Sequence, residues 1–135
     1  MAIVLLVIGE IFAGLAALVH VYIWMLESVL WNRESTRRTF GVRSAEDGDT
    51  LRGMAYNQGF YNLFLALGAF AGLGLSWTAD FRSAGIAVML FACLCMVLAA
   101  VVLLTSNRLL TRAALVQGGF PTIAVVATVV GLLVS

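Results

Sequence analysis

The chain has 135 residues, of which 62% are hydrophobic and 11% are charged, and its formal net charge is +1. A chain of this length predicts one domain, residues 1–135. A mean hydropathy of +1.03 excludes a soluble globular protein, because too few polar side chains are available to cover its surface. The basic residues of the longest loop are mixed with acids, which argues against nucleic-acid binding.

Four apolar segments set the expected fold class. A helix needs about 20 apolar residues to cross the hydrocarbon core of a membrane. The sequence predicts such helices over residues 2–31, 54–77, 84–105 and 113–134. We therefore expect an all-α integral membrane protein, a bundle of four transmembrane helices with an amphipathic cytoplasmic loop between the first two.

The arginines predict the orientation of these helices. All eight basic residues are arginines, and seven of them lie in two of the three loops, at positions 33, 37, 38, 43, 52, 108 and 112. Only Arg82 lies in the loop between the second and third helices. By the positive-inside rule, loops 32–53 and 106–112 are cytoplasmic and both termini lie outside.

The first segment carries three ionisable residues in its apolar run. It has no basic residue before Arg33, so we expect a retained helix rather than a signal peptide. His20 and Glu27 are seven residues apart, which places them on one face, roughly 10 Å apart along the axis. Glu10 is rotated roughly 80° from His20 and is interpreted as a carboxyl near the outer interface.

The loop after this segment has two open interpretations. Its arginines either bind anionic lipid headgroups or only set the topology. Ser44 followed by Ala45 and acidic residues resembles a helix start. Gly48 and Gly53 oppose a helix there, so the second helix is placed from residue 54.

The second segment opens with an unusual set of polar residues. Asn57, Gln58, Tyr61 and Asn62 fall within six residues, and their spacing puts them on one side of a helix. Further along, the spacing of Gly68 and Gly72 permits close helix approach, either within the chain or in a homodimer.

The last two segments differ in polar content. The third carries no charged or strongly polar residue and is interpreted as scaffold; Cys93 and Cys95, two apart, suggest neither a disulfide nor a metal site. The fourth has Gln117 near its cytoplasmic end, followed by Gly118 and Gly119. Pro121 removes a helix hydrogen bond there and should loosen that turn.

Combined with this topology, the polar residues converge in the cytoplasmic half of the bundle. The predicted ligand-binding set is His20, Glu27, Asn57, Gln58, Tyr61, Asn62 and Gln117. Such a layer of polar residues marks a ligand-binding site. Alternatively, its hydrogen bonds only stabilise the packing of the helices, by about 0.6 kcal/mol each. One histidine and one nearby carboxylate do not fill a metal coordination shell, so no metal is expected, and no cofactor is assigned.

Three functions stay open at this point. The leading one is a pocket for a small, partly apolar, oxygen-bearing molecule, serving transport or sequestration, with Glu27 and His20 supplying proton linkage. The second is a membrane enzyme acting on a lipid or isoprenoid-like substrate, with Glu27 as acid/base and His20 or Tyr61 assisting. The third is a structural subunit of a larger membrane complex. The expected partners are membrane lipid, a small-molecule or lipid-like ligand and a second copy of the chain.

The polar motifs resemble a known family. They are His20-x-Tyr22-Ile23 with Glu27 and Trp31, Phe40-Gly41, Asn57-Gln58-Gly59-x-Tyr61-Asn62-x-Phe64-Leu65-Ala66, and Val116-Gln117-Gly118 with Pro121. This pattern resembles the small bacterial inner-membrane proteins catalogued as domain of unknown function 1304. The resemblance covers nearly the whole chain, and it implies a four-helix protein of the bacterial inner membrane. It implies no established activity.

Overall fold

The computed structural model describes residues 1–135, which form helices joined by short loops, without a strand. The helices are α1 (Ala2–Trp24), continued by a π-helical turn (Met25–Val29), then α2 (Glu34–Thr39), α3 (Ala45–Ser76), α4 (Arg82–Ser106) and α5 (Thr111–Leu133). Single 3₁₀ turns, Ala79–Phe81 and Arg108–Leu110, precede α4 and α5.

Four of these elements are long and apolar enough to cross a membrane. The candidate spans are Ala2–Val29, Ala45–Ser76, Ala79–Ser106 and Arg108–Leu133. The expected all-α fold with four spanning helices is therefore confirmed, and the chain is a multi-pass membrane protein. We call the end with residues 30–52 and 107–112 the arginine-rich end, and the end with both termini the opposite end.

Helix α3 begins nine residues before the predicted position. Ser44 caps it, because its Oγ accepts a hydrogen bond of 3.0 Å from the Asp47 N–H. Gly48 does not interrupt the helix, since its buried backbone lies under the Arg37 side chain. At 1.5 Å per residue, 32 residues span about 48 Å, which exceeds the ~30 Å hydrocarbon core. The first third of α3 therefore extends beyond the apolar layer, and we call it the projecting part of α3.

The core is built from small side chains, which bring the helices close together. Helix α1 packs against α3 and α5, and α4 packs against α3 and α5, so α1 and α4 lie diagonally. One buried cluster consists of Ala16, Ala17, Ala66, Ala69, Ala92 and Met96. Another consists of Ala13, Met89, Cys93 and Ala124. Small residues favour close packing of membrane helices.

The Gly68-x-x-x-Gly72 motif packs inside the chain. A Cβ added at Gly72 would overlap the Met89 backbone and lie 2.8 Å from the Gly85 carbonyl oxygen. A Cβ at Gly68 would lie 3.6 Å from the Ala92 Cβ. The neighbour of this motif is therefore α4 of the same chain, and the motif no longer supports a homodimer.

Candidate functional site

A π-helical turn ends the first membrane span. The Leu30 N–H donates to the Met25 carbonyl oxygen at 2.9 Å, which is a bond across five residues instead of four. Single π turns occur frequently at functional sites when they lie inside helices, and they also occur as ordinary helix endings. Glu27 lies in the middle of this turn and is 8% exposed. The irregular turn thus carries the only carboxyl group that is buried.

Asn62 of α3 is the hydrogen-bond partner of this carboxyl group. Its Nδ2 donates to Glu27 Oε2 at 2.9 Å and to the Gln58 carbonyl oxygen at 3.2 Å. A buried carboxyl group is costly unless it is hydrogen-bonded, so Asn62 stabilises Glu27 in place. The other oxygen, Oε1, makes no hydrogen bond and is not enclosed by protein. Glu27 therefore has one acceptor available to another molecule.

Close backbone approach sets the position of the π turn against α3. A Cβ at Gly59 would lie 3.1 Å from the Glu27 Cβ and would overlap the Ser28 hydroxyl. Ser28 Oγ donates to the Tyr56 carbonyl oxygen at 3.0 Å. Because Gly59 has no side chain, the two backbones can come together and align Glu27 with Asn62 one turn further along α3.

The chain after the π turn continues along the first turns of α3. Trp31 is 6% exposed, and its Nε1 donates to the Gly48 carbonyl oxygen at 2.8 Å. Arg52 donates to the Asn32 side-chain oxygen and lies 3.9 Å from Asp49. These contacts fix the loop next to the projecting part of α3.

A cleft lies between the π turn and this part of α3. Its volume is about 200 Å³, and it is lined by Glu27, Ser28, Val29, Trp31, Asn32, Arg52 and Tyr56. Counting about 20 residues back from Ser76 reaches residue 57, so the cleft lies where α3 leaves the hydrocarbon layer. The lining combines a carboxyl, a guanidinium, an amide and two aromatic rings, which suits a molecule with a polar and an apolar part.

Three residues of the predicted set lie elsewhere on α3. Asn57, Gln58 and Tyr61 are exposed on the outer surface of the bundle. The inward stripe of α3 repeats every three or four residues through Ala55, Gly59, Asn62, Ala66, Ala69, Gly72 and Ser76. Of the four polar residues expected on one side, only Asn62 falls on that stripe. The expected crowding of all four is therefore absent.

His20 and Gln117 also lie away from the cleft. His20 is fully buried, and its Nδ1 is 2.9 Å from the Ala16 carbonyl oxygen. Its Nε2 and the Trp24 Nε1 have no partner, which leaves a buried acceptor and a buried donor one turn apart. Gln117 is half-buried on α5. Neither His20 nor Gln117 lines the cleft with Glu27.

Six lining residues were not in the predicted set. They are Ser28, Val29, Trp31, Asn32, Arg52 and Tyr56. The stripe of small residues that begins at Ala55 and Gly59 is a signal that could have indicated the inward side of α3. Arg52 and Asn32 carried no such signal, because the helical start of α3 was not expected.

The family model described as "Protein of unknown function (DUF1304)" matches residues 14–129. The chain belongs to this family. No curated protein and no solved structure matched the chain. The matched range contains Glu27, Asn62 and every residue that lines the cleft.

Proposed function

We propose that this protein binds the polar end of a small, partly apolar, oxygen-bearing molecule in the cleft beside Glu27 and sequesters it at the cytoplasmic face of the membrane. The observation that carries this proposal is the buried Glu27 carboxyl group. One of its oxygens is held by Asn62 and the other is free beside the cleft.

The chemistry of the lining supports a ligand with both donors and acceptors. Glu27 Oε1 accepts a hydrogen bond from a ligand hydroxyl or amine. Arg52 and the Tyr56 hydroxyl at the rim donate to a ligand oxygen. A volume of about 200 Å³ equals roughly seven waters of about 30 Å³ each. The cleft therefore holds a polar group, and the apolar part of the ligand extends along the membrane.

Sequestration is favoured over transport by the packing beyond the cleft. Between the cleft and the opposite end, the centre of the bundle is filled by small apolar side chains and methionines such as Met89 and Met96. A substrate path through this region needs these side chains to separate. Retention at one face needs no such movement.

Native mass spectrometry of protein purified in mild detergent tests the proposal. We expect a co-purifying small molecule in the wild type that is lost in Glu27→Gln and Asn62→Leu. Glu10→Gln is the matched control, because it removes the other carboxyl of α1, which lies far from the cleft, and it should keep the ligand. Equal occupancy in all four proteins contradicts the proposal. A bound molecule that is released with an altered mass favours the enzyme alternative.

The exposed polar residues of α3 support the assembly subunit as a second candidate. Asn57, Gln58 and Tyr61 face outward in the membrane-spanning element. Amide groups in such a position bind other membrane helices. If a larger complex forms, Asn57→Leu together with Gln58→Leu should release the partner during purification from membranes. The ligand of the cleft should stay bound in that variant, which separates the two candidates.

A further inference from the structure

The arginine-rich end carries more positive charge than its carboxylates neutralise. A Cβ at Gly41 would lie 3.7 Å from the Leu110 side chain, so the two arginine-containing loops meet there. Only two arginines at this end pair with a carboxylate, Arg38 with Glu34 and Arg52 with Asp49. The other five, at positions 33, 37, 43, 108 and 112, have no carboxylate partner.

The loop after α2 is folded into a defined turn. The N–H groups of Phe40 and Val42 both donate to the Arg37 carbonyl oxygen at 3.0 Å. Gly41 has a φ of +79°, which glycine adopts without strain and which reverses the chain direction. The Phe40 ring packs 5.7 Å from the Trp31 ring. The loop conformation is thus tied to the end of the first membrane span.

Arg38 and Arg43, on the two sides of this turn, line one cavity that is open to the surface. The cavity has a volume of about 400 Å³ and is lined by Arg38 and Arg43 alone. Arg38 also binds the exposed Glu34 at 2.6 Å, whereas Arg43 has no carboxylate partner. Two arginines around one cavity match the oxygens of a phosphate, which arginine binds through paired hydrogen bonds.

We propose that the cavity between Arg38 and Arg43 binds the phosphate of an anionic phospholipid headgroup. Arg38 and Arg43 flank Phe40 in the chain, the Phe40 ring packs on Trp31, and Trp31 is two residues past the end of the first span at Val29. This is the depth of lipid headgroups. An anionic membrane surface attracts each nearby arginine by about 1 kcal/mol. A purely topological role needs charge in the loop, but it does not need two arginines facing one cavity.

This site is independent of the cleft beside Glu27, and its test uses different residues. The probe is phosphatidylglycerol, offered in equal amounts with phosphatidylcholine to detergent-purified protein, with bound lipid counted by native mass spectrometry. We expect Arg38→Gln with Arg43→Gln to lower the phosphatidylglycerol preference about 30-fold, which corresponds to about 2 kcal/mol. Glu34→Gln should raise it severalfold, because Arg38 is then free of its carboxylate.

Arg82→Gln is the matched control, since it removes one arginine at the opposite end, and it should leave the preference unchanged. An equal loss in Arg82→Gln overturns the proposal in favour of net charge alone. Displacement of phosphatidylglycerol by inorganic phosphate at equal concentration also overturns it, because the site then binds free anions. All substituted side chains are exposed, so helix content measured by circular dichroism should be the same in every variant. The gain in Glu34→Gln cannot arise from misfolding.

Discussion

Two carboxyl groups on the first membrane span show what distinguishes a site from a structural contact. Glu10 and Glu27 are 17 residues, or about 25 Å, apart, and each accepts a hydrogen bond from α3. Ser76 Oγ donates to Glu10 at 3.2 Å, and Asn62 Nδ2 donates to Glu27 at 2.9 Å. Glu10 lies on a regular helix, whereas Glu27 lies on a π turn beside a cleft. A hydrogen bond between a carboxyl group and a neighbouring helix is thus not sufficient for a ligand-binding site, which also needs a cleft for the ligand.

The space arises from the size of the side chains at each end. Near Glu10, glycines let the backbones meet, because a Cβ at Gly9 would overlap the Thr128 side chain and a Cβ at Gly85 would overlap the Ser76 backbone. Near Glu27, Gly59 also lets α3 approach the π turn closely, but beside this contact the large side chains of Trp31 and Tyr56 line the cleft. Close backbone contacts occur near both carboxyl groups, and only the contact near Glu27 has a cleft beside it.

The largest loss of stability is expected at Gly72, where the backbones of α3 and α4 lie close together near the end that carries both termini. In Gly72→Ala the new methyl group overlaps the Met89 backbone, which cannot move without separating α3 from α4. We expect a loss of about 3 kcal/mol in the free energy of unfolding, measured by detergent denaturation followed with circular dichroism. Gly74→Ala is the control, because a Cβ there meets nothing within 4 Å. Equal stability of the two variants would show that the helices do not pack as closely as described.

The second prediction compares the partners of the two carboxyl groups. Asn62→Leu leaves the buried Glu27 without a hydrogen bond and should cost about 2 kcal/mol. Ser76→Ala should cost about 0.5 kcal/mol, since Glu10 is only half-buried and regains water as its partner. Both values come from the same denaturation measurement. A larger loss in Ser76→Ala would reverse the comparison between the two ends.

The third prediction concerns the wall of the cleft. Trp31→Phe keeps an aromatic ring against Phe40 but removes the hydrogen bond to the Gly48 carbonyl oxygen. We expect a loss of about 1 kcal/mol in unfolding free energy. Trp77→Phe serves as the control because Trp77 is 80% exposed at the opposite end and donates no hydrogen bond. A thermal melt of both variants checks the difference, and indistinguishable melting temperatures would refute it.

The smallest expected effect is a gain in stability on the projecting part of α3. Gly53 lies within the helix, and a Cβ there meets nothing within 4 Å. Gly53→Ala should therefore stabilise the protein by about 0.5 kcal/mol, because alanine loses less backbone entropy in a helix. Gly48→Ala, measured in parallel, should give a smaller gain, since the Arg37 side chain must move aside for the new Cβ. A loss in Gly53→Ala would indicate that this segment is not helical in the membrane-bound protein.

The number of spans could be predicted from hydropathy because lipid contact constrains every residue of a long apolar segment. Glu27 and Asn62 were both in the predicted set, since polar residues in such segments are few. The positions of Asn57, Gln58 and Tyr61 could not be assigned in the same way. Residues 57 and 62 are 140° apart around a helix, so four polar residues within six positions cover more than one side. Only the packing of small residues decides which side faces inward.

Hydropathy and charge along the chain were sufficient to predict an all-helical membrane protein of four spans with its arginines concentrated in two loops. The physical reason is that hydrophobicity and charge act on each segment separately, through its own contact with lipid or water. The hydrogen bond between Asn62 and Glu27 is visible only in the folded chain, because 35 residues separate the two. This pair depends on the close approach of the π turn to Gly59 of α3, which exists only when the two helices pack together.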